Sequence, residues 1–325
     1  MIRRILVPLD GSFQAEAILR HVLVLSKVFE ARLDLLHVIP GQRCLAHGSP
    51  TDPLGSRMAR AERARYLEKA AALLRRAGCE VWTRVEEGGP AAVIVDRLRR
   101  GEHDLVALTP HGAGDDQHLR MGCTALAVIM NARVGIFLAP RGMVPTGNGD
   151  LVGAKYAHVL APVDCSPRSD WSLGLAAAIA RASGGRLKIV HVLDSPEIVS
   201  RLPRSPEAGS LADRLREENR SEAKSYLDQV AWRFGAPDLP VDYEVLDGGH
   251  APAEALLELC EARDVDLVVL SAHGRGASPA WALGGTAAKL VQCAERPVLI
   301  LQDFPMERPQ HERVSRSIRA LARDR

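Results

Sequence analysis

Six cysteines (Cys44, Cys79, Cys123, Cys165, Cys260 and Cys293) form no Cys-x-x-Cys pair, and none joins histidine at zinc-ligand spacing. That pattern removes a disulfide framework and a structural zinc site. It fits scattered, reduced thiols in a cytoplasmic protein. No apolar run approaches the roughly 20 residues of a membrane span. Met1-Ile2-Arg3-Arg4 looks like the basic opening of a signal peptide, but only five residues, Ile5 to Leu9, separate it from Asp10, so it reads as the start of a strand. A formal net charge of +2 gives no bulk electrostatic pull toward nucleic acid or a membrane surface. Catalytic loops are absent as well. The chain has no Walker A lysine motif, no Ser-Gly-Gly-x-Asp-Ser, no His-x-Gly-His and no Gly-x-Gly-x-x-Gly after its first strand. These absences argue against adenylyl transfer, pyrophosphatase chemistry and dinucleotide-dependent dehydrogenation.

What the chain does have, it has twice. Ile5-Leu6-Val7-Pro8-Leu9-Asp10-Gly11-Ser12 returns as Val159-Leu160-Ala161-Pro162-Val163-Asp164-Cys165-Ser166. Leu36-His37-Val38 returns as Val190-His191-Val192, and Asp104 to Gly112 returns as Asp266 to Gly274. Solenoid repeats are about 20–50 residues long, so a repeat of this length is a duplicated domain. The reading is domain 1 over 1–140, a linker over 141–154, domain 2 over 155–302 and a basic tail or helix over 303–325. The second copy carries eight extra residues, which the proline-bearing segment 194–209 accommodates as a surface loop.

Each half alternates apolar runs with helical patterns, the sequence form of a parallel α/β sheet. Strands are expected at 4–9, 33–38, 81–85, 105–108 and 134–138, then at 158–163, 187–192, 241–245, 267–270 and 298–301. The fourth strand of each half is apolar throughout, as a strand covered on both faces should be. The third alternates and suits a position nearer an edge. Ser166-Pro167 marks a helix start, and Pro90 and Pro252 after glycines repeat the signal. Ala223, Leu227, Val230 and Phe234 carry the spacing of a buried helical face. The linker is turn-rich, without apolar period.

In an open parallel sheet, ligands bind beyond the carboxyl ends of the strands, where strand order reverses. The first strand of each half ends in an acid, Asp10 or Asp164, able to accept a hydrogen bond from a ribose hydroxyl or an adenine amino group. The fourth strand runs into a glycine turn, His111-Gly112-Ala113-Gly114 or His273-Gly274-Arg275-Gly276. A helix then opens near Gly122-Cys123-Thr124 or Gly284-Gly285-Thr286, where free backbone N–H groups suit phosphate. The plainer readings are a strand-end Asp that only caps a turn, histidines that only tie the loop together, and Cys123 as a small buried thiol in place of serine.

This arrangement resembles the universal stress protein family. The likeness rests on the strand ending in Asp, the His-Val after the second strand and a phosphate signature G-x2-G-x9-G-[S/T]. Here the signature reads Thr109-x2-Gly112-x9-Gly122-Cys123 and Ser271-x2-Gly274-x9-Gly284-Gly285. The resemblance implies two doubly wound five-stranded parallel sheets of order 3-2-1-4-5, of the adenine-nucleotide α-hydrolase-like type, paired through their fifth strands as a pseudo-twofold dimer. It also implies adenine-nucleotide binding, ATP or AMP, with Mg²⁺ left open and no metal-ligand set assigned. In domain 2 the implied contacts are Pro162, Asp164, Val192, Ser271, Gly274, Arg275, Gly284, Gly285 and Thr286. In domain 1 they are Pro8, Asp10, Val38, Thr109, Gly112, Gly122, Cys123 and Thr124.

Charge ranks the two. Asp115 and Asp116 in the first glycine loop oppose a polyphosphate and Pro110 removes a backbone donor, whereas the second loop carries Arg275. The second half is therefore expected to be the better site. The leading expectation is a cytoplasmic stress-response or signalling protein that binds nucleotide without dedicated catalysis. The alternatives are an interaction module of the same fold that binds no nucleotide, and a slow ATPase. A further homodimer stays open, and no protein partner is indicated.

Overall fold

The computed structural model describes residues 2–41, 53–112, 121–140, 146–147, 150–193, 206–247, 252–274, 282–293 and 295–302. The first half runs β1 (Arg4–Pro8), α1 (Phe13–Glu16), α2 (Leu19–Phe29), β2 (Arg32–Pro40), α3 (Pro53–Arg76), β3 (Val81–Gly88), α4 (Pro90–Arg99), β4 (Leu105–Leu108), α5 (Cys123–Asn131) and β5 (Gly135–Leu138). Two short strands follow, β6 (Thr146–Gly147) and β7 (Asp150–Leu151). The second half runs β8 (His158–Val163), α6 (Pro167–Ala182), β9 (Arg186–Leu193), α7 (Pro206–Phe234), β10 (Val241–Asp247), α8 (Pro252–Ala262), β11 (Leu267–Ser271), α9 (Gly285–Cys293) and β12 (Val298–Leu301).

Ten strands form one sheet in the order β10-β9-β8-β11-β12-β5-β4-β1-β2-β3. Within each half every pairing is parallel and the local order is 3-2-1-4-5. The halves join through β12 and β5, which run antiparallel with Leu299 opposite Phe137 and Ile300 opposite Ile136. That pairing removes two edges that would each expose a row of unpaired backbone groups. The alternating third strands, β3 and β10, lie at the outer edges, as their pattern requires.

Helix starts follow the residues that mark them. Ser166 caps α6 with Pro167 at the first helical position, Pro90 follows the Gly89 cap of α4, and Pro252 opens α8. Ala223, Leu227 and Val230 bury the inner face of α7, and Phe234 packs at its end. Strand alternation divides the core into two layers that run through both halves. Ile5, Val7, Phe137, Val159 and Leu299 belong to one layer, and Leu6, Val106, Ile136, Leu160 and Ile300 to the other. Each fully buried aliphatic side chain contributes about 1.5–3 kcal/mol relative to exposure.

The described residues between the halves pair and pack against the first half. β6 and β7 pair antiparallel, and Leu151, Ala154 and Tyr156 are buried. The Ala154 N–H donates to the Arg20 carbonyl at 3.0 Å, laying this segment along α2. The Tyr156 hydroxyl lies 2.7 Å from His21 Nδ1, and the His21 ring packs at a tilt against Phe137 of the seam strand. Burial, with a smaller contribution from the Arg20 charge, lowers the His21 pKa to about 3. The basic segment 303–325 and the insertion region 194–205 lie outside the described residues.

One half-buried polar cluster supports the first half. Asp34 on β2 accepts hydrogen bonds from Arg32 at 2.9 and 3.0 Å and lies 2.9 Å from Nε2 of the fully buried His103. Burial opposes ionisation of Asp34, but the bonds from His103 and Arg32 outweigh it and hold the carboxyl below its usual range. Its contribution is therefore present above the unfolded carboxylate pKa and lost as pH falls through the lower folded value. Asp34→Asn is expected to cost about 1–2 kcal/mol near neutrality. Urea titrations at pH 7 and pH 3 should show the deficit shrinking on acidification; an equal deficit at both would refute the assignment.

Candidate functional site

In each half the first and fourth strands lie side by side, β1 by β4 and β8 by β11, so the loops that leave them diverge and open a crevice. The strand-end acids sit at its mouth. One carboxylate oxygen serves the local turn, since Asp10 Oδ1 accepts the Ser12 N–H at 2.8 Å and Asp164 Oδ1 accepts the Ser166 N–H at 3.1 Å. The turn-capping role of the plainer reading is present in both halves. The second oxygen faces the glycine turn after the fourth strand. A Cβ at Gly112 would collide with Asp10 Oδ2, and one at Gly274 would collide with Asp164 Oδ2. At both positions glycine lets the acid come this close, and a side chain would have to displace the carboxylate.

The rest of the turn is built alike in the two copies. Thr109 Oγ1 donates to the His111 carbonyl at 2.8 Å, and Ser271 Oγ to the His273 carbonyl at 2.9 Å. These hydroxyls, which stand where the family signature has glycine, bond back into their own turn. The Gly122 N–H donates to the Pro110 carbonyl and the Gly284 N–H to the Ala272 carbonyl, both at 2.8 Å, which draws the starts of α5 and α9 back onto the turns. Gly122 is the N-cap of α5, with Cys123 and Thr124 in its first turn; α9 begins at Gly285 with Thr286 next. A Cβ at Gly285 would meet nothing within 4 Å, so its bareness leaves open space.

Two expectations need correction. The missing N–H of Pro110 does not deprive the first cradle of a donor, because the matching Ala272 N–H bonds to the Leu301 carbonyl at 2.7 Å. Cys123 is exposed, because the first helical position points out of the fold; it is not a small buried thiol. Asp115, Asp116 and Arg275, the residues behind the charge ranking, lie outside the described residues.

The second-half crevice opens into a cavity of about 940 Å³. Its walls bring together Pro162, Asp164, Val192, Ser271, Gly274, Gly284, Gly285 and Thr286, all the described members of the expected set. His191 also lines it, with Nδ1 2.8 Å from the Val163 carbonyl; in the first half His37 Nδ1 lies 2.8 Å from the Leu9 carbonyl. Burial lowers the His37 pKa. The sequence reading missed a wall supplied by α7, with Asn219, Glu222, Ala223 and Tyr226. The Tyr226 hydroxyl donates to Asp170, which Arg233 also contacts at 3.2 Å. Burial, together with Asp170, raises the Tyr226 pKa. The available signal was the buried spacing of α7, which turns residues one turn before Leu227 toward the sheet. Among the described residues, no cluster of His, Cys, Asp and Glu fits a metal ion, and no helix is long and apolar enough to cross a membrane.

A duplicated open α/β sheet, with an acid facing a bare glycine turn at each switch point, defines a tandem crevice-bearing α/β protein. The Universal stress protein family model matches residues 1–140 and 155–302, and the chain belongs to that family, with the stress-response role that membership carries. It is 26% identical over 312 residues to a universal stress protein of Mycolicibacterium smegmatis, covering 92% of this chain and 96% of that one. It is 29% identical over 119 residues to universal stress protein C of Escherichia coli, covering 37% of this chain and 78% of that protein. Among solved structures, a universal stress protein from Archaeoglobus fulgidus superposes with a TM-score of 0.61 at 20% identity, covering 93% of this chain and 98% of that one, a likeness of fold.

Proposed function

We propose that this chain binds an adenine nucleotide, ATP or AMP, in its second half and acts as a ligand-responsive stress protein of the cytoplasm. The observation that carries the reading is the Asp164 oxygen against bare Gly274, at the mouth of a cavity of about 940 Å³. Asp164 would accept from a ribose hydroxyl, and the Val192 backbone would meet the base. Gly285 and Thr286 would offer donors to phosphate at the N-terminus of α9, where the helix dipole favours an anion, while Gly274 and Gly284 keep the backbone bare beside it, the Gly284 N–H being held by the Ala272 carbonyl. Arg275 would add a cation to the same loop. The first-half set, from Pro8 and Asp10 to Thr124, is weak or structural. We read hydrolysis as slow at most, with binding as the function.

The test is a thermal melt with ATP, with AMP and with buffer alone, followed by phosphate release. A raised midpoint without turnover supports the proposal. No shift with either nucleotide points instead to an interaction module, and rapid phosphate release to an ATPase.

A further inference from the structure

The two crevices differ by a reciprocal exchange of side chains. Tyr66-Leu67 on α3 and Tyr226-Leu227 on α7 are equivalent anchors, with both leucines fully buried. One turn before the anchor, α3 carries Arg63 and α7 carries Ala223. On the loop after the first strand, the first half has Gly11 and the second has Cys165. Both loop residues take the same left-handed backbone, φ 87° at Gly11 and φ 59° at Cys165, so the difference lies in the side chains. A large group on the helix meets a bare loop in one half. In the other, a small group on the helix and a thiol on the loop both line the cavity.

The geometry follows from that exchange. Ala223 is buried and forms part of the open cavity wall, as does Cys165. Arg63 instead reaches across, its Nη1 3.5 Å from where a Cβ of Gly11 would stand. Its charge acts on His37, as does that of Asp10 with opposite sign, so the imidazole feels both charges. The guanidinium lies beside the loop after β1, at the end where a ribose would meet Asp10. The phosphate end, by contrast, is the start of α5 after β4. A cation at the ribose end fills space a sugar needs without reaching an anion bound at the helix.

Resting on the nucleotide reading above, we infer that Arg63 is the residue that sets how many ligands the chain holds: it occupies the first-half crevice in place of a nucleoside. Removing its side chain converts that crevice into a second binding site. The first half is then a closed copy of the second, and its glycine turn stays intact behind the arginine.

Titration calorimetry of the full chain with ATP tests this. The wild type is expected to bind one equivalent and Arg63→Ala two. The double variant Arg63→Ala/Gly112→Val is expected to return to one, because a side chain at Gly112 collides with Asp10. Arg63 is exposed, so its truncation should leave the melting curve of the free protein nearly unchanged. One equivalent for Arg63→Ala overturns the inference and leaves the second-half reading standing. Two equivalents for the wild type also overturn it, since Arg63 would then close nothing. So does a double variant that still binds two, because the added site would lie elsewhere. No binding by the wild type with one equivalent for Arg63→Ala supports the inference and refutes the second-half reading.

Discussion

Replacing Gly274 with valine is expected to weaken ATP binding by about 100-fold or more while Gly112→Val leaves the wild-type affinity unchanged. The argument is steric first. A Cβ at position 274 cannot coexist with the present position of Asp164 Oδ2, so the carboxylate must swing away from the cavity mouth. The charge-assisted hydrogen bond it would make to a ribose hydroxyl is then lost, and such bonds contribute about 1.5–3 kcal/mol, roughly a factor of 10–100. The valine methyls also enter the cavity, which raises the loss further. Asp164→Ala removes the hydrogen bond without adding bulk and should give the smaller part of the effect. Calorimetry on the three variants separates these contributions; an unchanged affinity for Gly274→Val would refute the site, and loss of binding by Gly112→Val alone would reverse the ranking of the halves.

Acidification is expected to loosen the seam through His21. Its folded pKa of about 3 lies well below the ordinary histidine value of 6.5. The unfolded chain therefore takes up a proton below pH 6.5 that the folded seam refuses. Stability from this group is full above pH 6.5 and declines as pH falls toward about 3. Between pH 7 and pH 4.5 the loss is roughly 1–3 kcal/mol, at about 1.4 kcal/mol per pH interval. Protonation would put a charge against Phe137 and Tyr156, which join the two halves. His21→Gln keeps a polar partner for the Tyr156 hydroxyl but cannot titrate. Urea midpoints for the wild type and this variant should diverge at pH 7 and converge toward pH 4.5; parallel curves would rule out His21 as the sensor.

Much of this was legible in the residues because duplication supplies an internal comparison. Strand positions followed from apolar runs such as Leu105 to Leu108, and the outer place of β3 and β10 from their alternation. The seam through the fifth strands came from the family resemblance, and Ile136 and Ile300 now face each other across it. The acid-to-glycine approach was legible as a motif; which oxygen does what was not, because Ser12 and Ser166 claim one of the two. The α7 wall and Arg63 escaped because their roles depend on how far a side chain reaches across a gap, which linear spacing does not encode. Pro110 misled for a similar reason: the partner of the matching Ala272 N–H lies on a distant strand. Leu151 and Ala154 of the interdomain segment are buried, too few residues to give a period.

The antiparallel join of β5 and β12 has one more consequence. Two identical subunits paired in this way would share one gene, so any change in one pocket would appear in both. Covalent fusion lifts that symmetry requirement. One lobe can keep its pocket for a metabolite while the other substitutes its own cation, and the pair still folds as a single body. Divergence between the lobes then becomes a means of tuning ligand stoichiometry without altering the scaffold.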